Sequence, residues 1–104
     1  KKINPTQKIQ NESNTGNVDK LFQAIPNPTD GEALINYYLA KEYSSAYITI
    51  STLDGKEKAS YKLNHKIGEG SIKVSLGDFS NGTYIYSIVA GERVIDSKKL
   101  QILK

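Results

Sequence analysis

The sequence predicts an all-β protein, an antiparallel sandwich of about seven short strands. Three observations predict it. Apolar and polar residues alternate with a period of two from Leu21 onward. Turn residues interrupt that alternation about every ten positions. No segment sustains the 3.6-residue period of an amphipathic helix, so no helix longer than one turn is expected.

The elements follow in order. Leu21 to Ile25 reads as a short first strand, closed by Pro26-Asn27-Pro28. Two prolines so close exclude a central strand and mark a turn, which Thr29-Asp30-Gly31 extends. Ala33, Ile35, Tyr37 and Leu39 fall on one face of a second strand, and Ile48 and Ile50 on one face of a third. Asp54-Gly55 is a tight-turn signal, because glycine takes the positive φ such turns need. Ala59, Tyr61 and Leu63 line the return strand. Gly68 and Gly70 break the chain before Ile72, Val74 and Leu76 of a fifth strand. Asn81-Gly82 turns into a sixth, with Tyr84, Tyr86, Ile88 and Ala90 facing inward. Ala90-Gly91-Glu92-Arg93 reads as a hairpin, and Val94 to Leu103 as the last strand, with Leu100 and Ile102 facing in.

Leu76, Phe79, Gly82 and Tyr84 form an L-x-x-F-x-x-G-x-Y pattern at the entrance to the sixth strand. In Greek-key sandwiches a tyrosine there can fold its hydroxyl back onto upstream backbone, a tyrosine corner. The ring then fills core while the phenol finds the partner that burial demands.

Residues 1–20 differ from the rest. Their only apolar side chains are Ile3, Ile9 and Val18, too few to offset the entropy of ordering the segment. They are expected to be a flexible polar linker, and residues 21–104 the folded domain. The chain opens on Lys1 rather than Met and reads as a piece of something longer.

Composition excludes several chemistries. With no Cys, disulfides, thiolate metal sites and cysteine nucleophiles are absent. The single histidine, His65, sits in a polar stretch between Asn64 and Lys66, and no G-x-S-x-G elbow accompanies it. The excess of 14 basic over 11 acidic residues is small and interspersed, unlike a nucleic-acid footprint. Gly68-Glu69-Gly70 lacks the third glycine and the helix of a dinucleotide loop. Asp30, Asp54 and Asp78 lie in predicted turns, where aspartate usually bonds its own backbone, although oxygen ligands for calcium also gather in such loops. Of seven tyrosines, Tyr37, Tyr61, Tyr84 and Tyr86 fall on inner faces. Tyr38, Tyr43 and Tyr47 are left as exposed candidates for a carbohydrate platform in an adhesive module. No enzyme, cofactor, metal or small-molecule substrate is indicated.

The chain end is basic, with Lys98, Lys99 and Lys104 beside Leu100 and Ile102. Lysines there can simply guard a terminal strand against strand addition, or they can form a tag for a partner.

Taken in order, several pieces resemble a known family. They are Pro26-Asn27-Pro28, a glycine and the strand Ala33–Leu39, then Asp54-Gly55-Lys56, then Leu76 through Phe79 and Gly82 into Tyr84, and finally Lys98-Lys99-Leu100 before Lys104. The set is similar to the type A C-terminal sorting domain of the bacterial type IX secretion system, over residues 21–104. The resemblance implies a seven-stranded Ig-like sandwich at the end of a secreted Bacteroidetes protein. It implies an N-terminally attached cargo that crosses the periplasm and reaches the cell surface or the outside. It implies, as partners, an outer-membrane translocon, its shuttle protein, and a cell-surface sortase that removes the domain. A removable tag needs an accessible scissile segment, which places the cleavage window at Asn11 to Asp19. Lys98, Lys99, Leu100, Ile102 and a free Lys104 are then the residues of the handle, because a chain end can be drawn into a partner's pocket or sheet edge.

Overall fold

The computed structural model describes residues 18–64 and 67–104. They form seven strands in two antiparallel sheets, with no helix among the described residues. The strands are β1 (Lys20–Leu21), β2 (Glu32–Leu39), β3 (Ala46–Thr52), β4 (Glu57–Lys62), β5 (Gly68–Ser75), β6 (Gly82–Ala90) and β7 (Arg93–Ile102). One sheet has the order β1-β2-β5 and the other β4-β3-β6-β7. The connections β2–β3, β4–β5 and β5–β6 each pass from one sheet to the other, so the two layers are woven from a single chain.

Alternation explains the core. Ala33, Ile35, Tyr37 and Leu39 of β2 are buried, as are Ile48 and Ile50 of β3 and Tyr84, Tyr86, Ile88 and Ala90 of β6. Val74, Leu76, Leu100 and Ile102 complete the layer between the sheets. A one-residue slip would turn each set outward, so the buried face fixes the register of each ladder. The expected β4 face is only partly buried, with Ala59 and Tyr61 half-covered at the sheet edge.

The turns are those the sequence announces. Gly55 has φ +95, and its N–H donates to Thr52 O at 3.0 Å. Gly91 and Glu92 both have positive φ, the two-residue turn whose twist suits a hairpin. Tyr84 forms the expected corner: its hydroxyl donates to Ser80 O at 2.8 Å. Its ring meets Phe79 edge-on, with centroids 5.3 Å apart.

The first strand differs from expectation. Leu21 to Ile25 was expected to be continuous, yet regular pairing stops at Leu21 and resumes only as a bridge between Ile25 and Leu34. The cause lies in the opposite sheet. The buried Tyr86 hydroxyl donates to Phe22 O at 2.8 Å and accepts from Ala24 N–H at 2.8 Å. Those backbone groups turn inward to it, and Ala24 is carried into the core. The same segment also departs in geometry, because Ile25-Pro26 and Asn27-Pro28 are both cis.

Candidate functional site

The last strand, β7, is the edge of the four-stranded sheet and pairs on one side with β6. Its alternate residues divide into two sets. Leu100 and Ile102 lie opposite Tyr84 and Gly82 and are fully buried. Further up, on the same face, Lys98 and Asp96 lie opposite Tyr86 and Ile88 and are half-buried. Charges aimed inward on an edge strand disfavour addition of another chain, since pairing would desolvate them. The other set, Ser97, Lys99, Gln101 and Leu103, is exposed.

The outer edge of β7 is covered over its C-terminal half. Asn27 lies between the two cis prolines, and its side-chain amide stands in for a missing strand. Its Nδ2 donates to Lys99 O at 3.0 Å, and its Oδ1 accepts from Gln101 N–H at 2.9 Å. Thr29 continues the line: its N–H donates to Gln101 O and its C=O accepts from Leu103 N–H, both at 2.8 Å. The Thr29 hydroxyl in turn donates to Glu32 O and accepts from Gly31 N–H, which fixes the turn below. Pro26-Asn27-Pro28 is thus more than a turn; it is half of a clasp.

The chain end forms the other half. Lys104 N–H donates to Asn81 Oδ1 at 3.0 Å, and its ammonium donates to Gly77 O at 2.6 Å and to Phe79 O. Those acceptors sit on the loop that the Tyr84 corner shapes. Lys104, expected as a free handle, is instead tied to the body by its main chain and side chain.

The structure therefore sorts the expected handle residues. Leu100 and Ile102 are core, Lys98 is half-buried, and Lys104 is clasped. Lys99 is left with an exposed side chain, joined by Gln101 and Leu103, which sequence reading did not single out. Period two from Lys99 would have found both. Asp19, at the end of the expected cleavage window, accepts from Ala40 N–H at 2.6 Å and from the Tyr43 hydroxyl. Asn11 and the window up to residue 17 lie outside the described residues, as does His65.

The tyrosines expected to be exposed are half-buried. Tyr43 packs against the core with its hydroxyl on Asp19, and the bond to that carboxylate raises its pKa. Tyr38 and Tyr47 lie on different sheets, so the three make no shared platform. Among the described residues no group of three His, Cys, Asp or Glu could hold a metal. The Asp54 carboxylate accepts from the Thr52 hydroxyl, which lowers its pKa.

Comparison with known proteins places this arrangement. The family profile described as a secretion system C-terminal sorting domain matches residues 23–103. The chain belongs to that family. The match begins beside the Tyr86 anchor and runs through the clasped strand. As a type IX sorting domain, the chain engages the type IX secretion machinery and serves secretion across the outer membrane to the cell surface or outside. No curated protein matches. A solved structure with a similar fold is that of an immunoglobulin-like protein from Pseudomonas aeruginosa, at 13% identity and TM-score 0.49, covering 74% of this chain and 76% of that one.

Proposed function

We propose that the sorting domain is read through the exposed stripe of β7, Lys99, Gln101 and Leu103, by the outer-membrane translocon and its shuttle protein. The observation that carries this reading is the clasp. Asn27, Thr29 and Asn81 hold the last strand rigid while its outward side chains stay open to a partner. Binding to a pre-ordered strand avoids the cost of ordering a loose tail. Leu100 and Ile102 serve the reading by anchoring the strand, and Lys98 and Lys104 by shaping its margins.

The domain acts as an address for an N-terminally attached cargo and not as a catalyst. The cargo passes through the periplasm with the domain folded. A cell-surface sortase then cuts on the N-terminal side of Asp19, because Asp19 is engaged by Ala40 and Tyr43 while residues 1–17 have the composition of a linker. Membership of the sorting-domain family supports a Bacteroidetes source.

The test uses the whole chain fused to a reporter in a host with this secretion system. Removing residues 98–104 would not discriminate, because it deletes Leu100 and Ile102 from the core. Surface changes do. Lys99→Glu combined with Leu103→Ser should leave the reporter in the periplasm with an unchanged melting temperature. Normal export of that variant would end the proposal. N-terminal sequencing of the released domain locates the cut, and a new N-terminus beyond Asp19 would refute the processing step.

A further inference from the structure

β5 (Gly68–Ser75) is the longest strand edge that the fold leaves open over its full length among the described residues. β2 covers one side of it, and no strand or segment is bonded along the other. The hydrogen bonds of β2 reveal which β5 groups point outward. Phe22 N–H donates to Asn36 O, and Ile25 and Leu34 exchange both of their backbone bonds. Asn36 and Leu34 therefore direct their backbone toward the β1 side. Their register partners on β5 are Ser71 and Lys73. Those two sit in non-hydrogen-bonded pairs with β2, so their own N–H and C=O face the open edge. The alternation extends this to Glu69 and Ser75. The side chains of the same residues are exposed.

No proline, bulge or inward charge blunts this edge, and its charges, Glu69 and Lys73, point outward. β5 has no proline, and its pairing with β2 shows no bulge. Its inward side is Gly68, Gly70, Ile72 and Val74, without a charge. By contrast, β7 carries inward charges and the Asn27 clasp, and the β4 edge carries Glu57, Lys58 and Lys62 and lies beside a register shift.

The charges on β5 select the occupant. We propose that β5 pairs antiparallel with β5 of a second copy of this chain, about a two-fold axis at Ser71. In that register Glu69 faces Lys73 of the second copy, and Lys73 faces Glu69. Ser71 faces Ser71. On the inner side Ile72 faces Gly70, where the Tyr37 ring of the same molecule lies over the glycine, so Ile72 meets that ring's edge. The residues brought opposite are those whose backbone groups already point outward, so each such pair exchanges both hydrogen bonds. Other registers lose this match. An axis at Gly70 or Ile72 leaves one charge facing Ser71, and an axis at Glu69 or Lys73 sets like charges against each other. The product is a continuous sheet running through both molecules. A single strand edge buries less than the roughly 1,200 Å² typical of stable complexes, so the dimer forms at high local concentration.

Sedimentation of the whole chain between about 10 µM and about 1 mM reads this out. Wild type should pass from monomer to dimer across that range. Glu69→Lys or Lys73→Glu alone should weaken association at least tenfold, because each places like charges opposite one another twice over. The double reversal, Glu69→Lys with Lys73→Glu, should restore it to within about threefold. Ser71→Pro should abolish it by removing an N–H on the open edge, with the melting curve showing that the fold survives. Should that variant fail to fold, the charge reversals still decide. A chain that stays monomeric throughout overturns the proposal. So does a dimer indifferent to Lys73→Glu, which would place the contact elsewhere.

Discussion

Two seams close this sandwich, and they are built from similar bonds in different surroundings. At the inner seam the Tyr86 hydroxyl, fully buried, bridges Phe22 O and Ala24 N–H across the two sheets. At the outer seam the Asn27 amide bridges Lys99 O and Gln101 N–H in view of solvent. Each uses one side chain to satisfy one acceptor and one donor. At the inner seam the bond from Ala24 is buried and the bond to Phe22 partly so, and water replaces them less readily than at the outer seam. The difference teaches that hydrogen-bond geometry does not rank these contacts; desolvation does. The inner seam should set global stability, and the outer seam should set the local order of the recognition strand.

The strongest way to break that comparison is Tyr86→Phe. It keeps the ring and removes only the hydroxyl, leaving the buried Ala24 N–H and the partly buried Phe22 O without that partner. The expected loss is about 2–3 kcal/mol. For a domain of this size that lowers the melting temperature by about 10 °C or more. Calorimetry checks it, and a loss below about 0.5 kcal/mol would show that water reaches the seam.

Ionisation attacks the same seam reversibly. Burial raises the pKa of Tyr86, as it does for Tyr37 and Tyr61. The sign follows from linkage. A group whose pKa is higher in the folded state contributes stability that is whole below its unfolded value of 10.0 and is lost as pH rises toward the folded value. Above the unfolded value the unfolded phenol ionises before the folded one, so each further rise in pH favours unfolding. Urea unfolding followed from pH 9 to pH 11 should show the decline. Its slope should be shallower in Tyr86→Phe, and equal slopes would remove Tyr86 from the account.

What could be read in advance divides along the same line. Tyr84 reaches Ser80, four residues back, and the L-x-x-F-x-x-G-x-Y spacing announced it. The Asp54-Gly55 turn and the period-two faces of β2 and β6 are equally local. Tyr86 was placed on the core face correctly, but its partners lie more than sixty residues upstream. No local spacing encodes such a bond, so the interruption of the first strand went unforeseen. The neighbouring prolines mark Asn27 as a turn residue, while its amide is spent on a strand over seventy positions away. Lys104 seemed free because chain ends usually are. Its acceptors are carbonyls left over in the Phe79 loop, visible only once the loop has folded. The expected handle residues therefore fall together on one edge strand and just past its end, while which of them are buried depends on contacts that local spacing does not encode.

Asn27→Ala sharpens the comparison from the outer side. It should cost about 1 kcal/mol, less than the loss at Tyr86, because water can take over both bonds. The local effect should exceed the global one. In native-state hydrogen exchange the Gln101 amide should lose protection strongly, while Ile48 and Ile88 amides change only by the global amount. Uniform loss across all three would mean that clasp and core open as one unit.

The smallest expected effect is the most informative about recognition. Lys99 is exposed, and the residue opposite it on β6 is the uncharged Ile85. Its ammonium therefore contributes little to folding, and Lys99→Ala should change stability by less than about 0.5 kcal/mol. Its backbone carbonyl stays on Asn27 in the variant, since that bond needs no side chain. The clasp and the stripe can thus be separated: Asn27→Ala loosens the strand and leaves its charge, whereas Lys99→Ala keeps the strand and removes the charge. If export falls in the second variant while the Gln101 amide remains protected, the machinery reads side chains on an ordered strand. If export falls only in the first, it reads the order of the strand itself, and the stripe is incidental.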